Sequence, residues 1–294
     1  MVNEVTTIDT NNYAVMAKAM GMSGESSSDD KPKALPRFRI NHTPIIGSDK
    51  VLVKGGTYKL EIPDDTTLYG TSATIRPFIQ RFMYKRFVKN MSAKAGEPLG
   101  VYHKTIMSDN LNVDLKDNQG KFNCGKPTGY IKDFKALPVE TQDVIRQIKR
   151  VRVIFGTVDL VGSVDESGNK MDKGTIPFIW EIDNRDAFKT MGEPFKKFSQ
   201  VKRLPVEHSI ALNTEERKLS NGNSFYLPTY TLDLQDKIEV SKDDQDTFIN
   251  FMSWIDNYNT YIFNEWDMKT KKDISDSDKN VVDNFIDVTE EDVA

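Results

Sequence analysis

Thr74–Val88 reads TIRPFIQRFMYKRFV, and the fold turns on how this stretch is read. As a strand, Phe78, Phe82 and Tyr84 share a face with Arg76 and Arg86; as a helix, Ile75, Phe78, Ile79, Phe82 and Met83 form an apolar stripe. Pro77 suits the first positions of either. The bases Arg76, Arg81, Lys85, Arg86 and Lys89 alternate here with the aromatics Phe78, Phe82, Tyr84 and Phe87. Single-stranded nucleic acid calls for this mixture, because cations follow phosphates while ring faces stack on unpaired bases. The competing reading is an amphipathic core segment with a solvated basic face.

Outward from this stretch, strand signals dominate. Arg37–Ile40, Lys50–Lys54 and Thr57–Ile62, the last with Tyr58, Leu60 and Ile62 at period two, read as short strands separated by Gly47-Ser48-Asp49, Gly55-Gly56 and Pro63-Asp64-Asp65. RVRVIFGTVDLV, residues 150–161, is the clearest strand, and Gly156 sits where a bulge would be tolerated. A polar turn at Asp165–Lys173 leads to a strand at Thr175–Ile182, with further strands at Val206–Leu212 and Ser224–Leu234. The stretch between Gly96 and Gly129 reads as loop. Helices are expected from Pro138 to about Ile148, over Asp186–Phe198 and from about Lys242 to Met268. Ser241 and Asp244 form an S-x-x-D capping box for the last of these. Phe248, Phe251, Met252, Ile255 and Ile262 give that helix its apolar spacing.

The ends differ in composition from the body. Gly21–Lys33 reads GMSGESSSDDKPK and cannot bury itself, so residues 1–34 are expected to be a disordered arm and linker, with Asn11–Met20 able to form a short helix. Residues 273–294 hold eight acids against one base, a net charge of −7. The whole chain carries −4, so residues 1–272 are net positive, and residues 76–150 alone carry +8. A basic body is the electrostatic footprint of a polyanion binder, and an acidic tail can compete with that polyanion or be offered to a basic partner.

Other chemistries find little support. Cys124 is the one cysteine, which fits a reducing cytoplasm, and His42, His103 and His208 lie far apart without metal-ligand spacing. Gly120–Pro127, GKFNCGKP, has the glycine spacing of a phosphate-binding loop but places Pro127 where a hydroxyl is required. Asp109, Asp114 and Asp117 are the carboxylates that a metal-dependent nuclease would use, set in loop-like sequence. No apolar run reaches the roughly 20 residues of a membrane helix, and Met1–Met22 lacks the pattern of a secretory signal.

The expected fold is therefore α+β and β-rich: an OB-like β-barrel with long insertions and a C-terminal helix, over residues 35–272. Candidate nucleic-acid contacts are Arg76, Phe78, Arg81, Phe82, Tyr84, Lys85, Arg86, Lys126, Tyr130, Lys132, Lys149, Arg150, Arg152, Lys196 and Lys197. The last two lie in the motif Phe195-Lys196-Lys197-Phe198, and Tyr130 and Lys132 in a similar run from Gly129 to Lys135. No catalytic set and no cofactor site stand out.

This layout of basic, aromatic body and acidic end resembles the phage-type single-stranded-DNA-binding proteins. Over residues 35–294 the resemblance implies an OB-fold body that coats single strands without catalysis, in replication or recombination. It also implies a tail that recruits replication proteins, here through Asp283, Phe285, Asp287, Glu290, Glu291 and Asp292. Such tails often end in an aromatic, whereas this chain closes Asp-Val-Ala after Phe285. The implied setting is the cytoplasm, that of the host if the protein is viral, and homo-oligomers are compatible with it. A metal-dependent nuclease or nucleotide-processing enzyme, a virion assembly protein and an RNA binder are the alternatives.

Overall fold

The ambiguous stretch is a strand. In the computed structural model it lies within β6, Ser72–Lys89, and pairs antiparallel with β8, Ile148–Val161, from Ser72–Val161 to Arg86–Ile148. The structure describes residues 34–48, 50–92, 98–219 and 222–272. The expected N-terminal arm with its helix, and the acidic tail, lie outside the described residues.

The elements follow in chain order. The strands β1 (Arg37–Ile40), β2 (Ile45–Ile46), β3 (Val51–Val53), β4 (Tyr58–Glu61) and β5 (Leu68–Gly70) precede β6. Then come β7 (Gly100–Lys104), the helix α1 (Val139–Gln147), β8, and β9 (Ile176–Ile182). The short helices α2 (Arg185–Thr190) and α3 (Glu193–Gln200) lead to β10 (Ile210–Lys218), β11 (Ser224–Leu232) and the long α4 (Lys242–Lys272). One mixed sheet runs β11-β10-β6-β8-β9-β1-β4-β5, with β7 pairing the far end of β6; β2 and β3 form a separate ribbon.

Period-two alternation explains the layers. On β8, Val151, Val153 and Phe155 face one side with Ile79 and Met83 of β6, and α4 covers them through Phe251 and Ile255. Ile154 and Val158 face the other side, where Phe38, Tyr58, Leu60, Phe178 and Trp180 meet Phe195 and Phe198 of α3. Both faces of the central strands are thus buried, so they read as almost continuous apolar runs. Gly156 lies opposite a bulge in β6, where the register slips between Pro77 and Ile79. A Cβ at Gly156 would stand 2.4 Å from the Arg76 carbonyl oxygen, so only glycine fits. The bulge also turns Phe78 to the α4 side, against Phe251 at 5.7 Å.

The α+β, strand-rich expectation holds, but the closed OB-like barrel does not. The sheet stays open, and its two ends approach without a backbone ladder. Side chains bridge them instead: Tyr58 Oη donates to the Asn213 carbonyl (2.9 Å), Thr214 Oγ1 to the Gly56 carbonyl (2.6 Å), and the Tyr226 N–H to His42 Nδ1 (3.2 Å). Four local differences are also physical. The helix expected over Asp186–Phe198 breaks at Met191-Gly192 into α2 and α3. The strand expected at Val206 begins at Ile210, after a 3-10 turn at Pro205–Glu207. The supposed loop after Gly96 contains β7, a strand whose apolar residues are exposed and so leave little periodic signal. Phe248 is exposed on α4, although Phe251, Ile255 and Ile262 are buried as expected. The capping box is present: Asp244 Oδ2 accepts from the Ser241 N–H (2.8 Å), and Ser241 Oγ accepts from the Asp244 N–H (3.1 Å).

Candidate nucleic-acid interface

β1 and β9 run parallel but are in register at one pair, Arg37 with Ile179. Beyond it they part, and a groove of about 910 Å³ opens between them. Arg37 and Arg39 line one wall, and Lys85, Lys104 and Lys149 the other, around Glu181 and Asp183. Strand alternation sets this up: in RFRI, Phe38 turns into the core while Arg37 and Arg39 turn outward. Tyr102 of β7, half exposed, brings a ring to the rim, Tyr226 of β11 lines it while packed on Gly56 and stacked with His42, and Trp180 lies in the floor.

Five cationic side chains against two carboxylates leave the groove positive. The carboxylates are engaged. Glu181 reaches Lys104 at 3.2 Å and Lys85 at 3.7 Å, while Asp183 reaches Lys149 at 3.1 Å and Lys85 at 3.5 Å. Burial pushes the Asp183 carboxyl up, but the hydrogen bond from Lys149 and the charge of Lys85 outweigh it and hold it below the ordinary aspartate range. Lys85 Nζ also stands 4.9 Å from the Tyr102 ring centre, so cation and ring are presented together. Arg39 pairs with Glu61 at 2.6 Å in a half-exposed position, a contact that solvent screens.

The sequence-predicted contacts divide sharply. Lys85 and Lys149 are in the groove. Arg76 is committed to the interior: it forks onto Asp244 (2.8 and 3.0 Å) and donates to the Val206 carbonyl (2.6 Å), tying β6 to the start of α4. Phe78 is core. Arg81 lies against Met252 of α4 and donates to the Gln80 carbonyl. Phe82 packs on Phe188, and Tyr84, 3% exposed, donates to the Leu111 carbonyl. Buried Tyr84 offers no free face, so the expectation that it stacks on a base does not fit its position, while Phe82 is partly buried between Phe188 and Arg152. Arg86 donates to Gln147 Oε1. Arg152, 8% exposed, is caged by Phe82, Phe188 and Phe195 with its guanidinium carbon 4.6–5.9 Å from the ring centres, and it bonds to the Phe188 carbonyl and Gln80. Burial lowers its pKa to about 10. Arg150 is exposed beside Phe188. Lys126 donates to the carbonyls of Pro127 and Gly129, and burial followed by the charge of Arg150 lowers its pKa. Tyr130 and Lys132 are exposed on the loop before α1, and Lys196 and Lys197 on the outer side of α3. The tail residues Asp283, Phe285, Asp287, Glu290, Glu291 and Asp292 lie outside the described residues.

The groove residues that sequence reading missed are Arg37, Arg39, His42, Tyr102, Lys104 and Tyr226. The alternation Arg-Phe-Arg-Ile was a usable signal for the first two. Tyr102 and Lys104 were hidden because β7 read as loop.

The aspartates weighed for a nuclease do not converge. Asp109 bonds to Ser108 and Asn110, Asp114 to Asn123 and Thr128, and buried Asp117 takes the N–H groups of Gln119 and Lys121, both at 2.8 Å. Among the described residues no three His, Cys, Asp or Glu side chains are placed to hold a metal ion, and no helix is long and apolar enough to cross a membrane. No protein-family model, curated protein or solved structure significantly matches the chain.

Proposed function

We propose that the protein binds single-stranded DNA, without catalysis, in the groove between β1 and β9. The observation that carries this reading is the joint presentation of Arg37, Arg39, Lys85, Lys104 and Lys149 with the Tyr102 and Tyr226 rings along one open groove. Polyphosphate follows the cations, and unpaired bases need exposed ring faces. A duplex hides those bases, so single strands are preferred. The acidic segment 273–294 serves in this reading to recruit replication proteins, and its deletion abolishes their capture.

The test is a binding titration of matched single-stranded DNA, duplex and RNA across salt. Each neutralised phosphate on a single strand contributes a slope of about −0.7 in log K against log salt, so several contacts give a slope on the order of −2 to −4. Salt-independent affinity, or equal affinity for duplex, rejects the reading. Preference for the RNA strand over the DNA strand reassigns the groove to RNA.

A further inference from the structure

Lys104, on the groove wall, is bonded on its other side to the loop that follows β7. Its N–H donates to Asn118 Oδ1 (3.0 Å), and its carbonyl accepts from the Asn118 N–H (3.1 Å). Two residues back along that loop, about 7 Å at strand spacing, Lys116 stands over two rings of α4. Its Nζ lies 5.4 Å from the centre of Phe263 and 5.3 Å from that of Trp266. Phe122, paired with Lys116 across the loop, closes on Trp266 at 4.7 Å. Gly120, with φ +76°, makes the turn that lets the loop sit against Lys269 and Thr270.

These rings are not core. Phe122 is 45% exposed and Phe263 39% exposed, while Trp266 is partly buried. Lys121, exposed, and Lys269, partly buried, flank them. The cluster therefore repeats, outside the groove and continuous with it through Lys104, the same pairing of cation and open ring.

We infer that Phe122, Trp266 and Phe263, with Lys116, form a second stacking platform for the same single strand as it leaves the groove past Lys104. This rests on the groove reading, and its consequence is that affinity rises in two stages with strand length. The chain carries its own probes, because Trp180 lies in the groove floor and Trp266 in the platform.

The experiment titrates the full chain with oligothymidylates of about 6 and about 20 nucleotides, lengths bracketing one such binding module, and follows tryptophan fluorescence and affinity. The expected result is that the long strand alone quenches a component that Trp266→Phe removes. Phe122→Leu, which keeps apolar packing but loses the ring, weakens the long strand on the order of tenfold and leaves the short one unchanged. If Phe122→Leu and Trp266→Phe alter neither the length dependence nor the quench, while Tyr102→Ala still weakens both strands, the platform is rejected and the groove stands. If the unaltered chain binds neither strand, both readings fall.

Discussion

The interior of β6 and β8 and the groove at the β1–β9 fork use the same residue types to opposite ends. In the interior, Arg76 is matched by Asp244, and Arg152 is enclosed by three phenylalanines. In the groove, Arg37 and Arg39 face solvent, and Tyr102 is half exposed. A base beside an aromatic is a binding signal only where the pair keeps access to solvent, as Lys85 and Tyr102 do with Tyr102 half exposed. Burial of a guanidinium is tolerable when rings and carbonyls replace water, and a group so satisfied has nothing left for a ligand.

The largest expected effect breaks this contrast from the interior side. Phe78→Ala removes a buried ring that packs on Phe251, and should cost about 3–5 kcal/mol of stability, read as a large fall in thermal midpoint. A variant that melts like the parent but binds DNA poorly would mean that Phe78 belongs to the interface after all.

The next effect comes from the groove side. Tyr102→Ala should leave the melt nearly unchanged and weaken single-strand binding by about 1–3 kcal/mol, with little change in salt slope. Lys104→Ala should instead lower that slope by about 0.7. Equal loss of stability in Tyr102→Ala and Phe78→Ala would erase the distinction between the regions.

Glu181 and Asp183 sharpen it further, since they hold the three groove lysines where phosphates would sit. Glu181→Gln with Asp183→Asn should tighten single-strand binding several-fold, most clearly at low salt. Unchanged or weakened affinity would show that the carboxylates position the lysines rather than compete with the strand.

The smallest effect concerns pH. Burial raises the Asp117 pKa, opposed in part by the N–H groups of Lys121 and Gln119. A raised folded pKa means that the protonated form is favoured in the fold, so its contribution is full below the unfolded value near 3.9 and is lost as pH rises through the folded value. Asp117→Asn should therefore flatten the fall in thermal midpoint as pH rises across the weakly acidic range. Parallel curves for parent and variant would remove Asp117 as the cause.

Local sequence determined much of this protein. Period-two apolar residues set β1, β4, β8 and β9, the Ser241–Asp244 box started α4, and Gly156 marked the bulge, because each depends on residues a few positions apart. The site was largely illegible for the converse reason. Whether Arg76 is free depends on Asp244, 168 residues later, and whether Phe82 is open depends on where α2 lands. The groove exists because β1 and β9, far apart in the chain, separate after one paired residue. Its lysines come from β6, β7 and β8 and its carboxylates from β9 and the residue just after it, so only the tertiary arrangement could bring them together and leave them facing water.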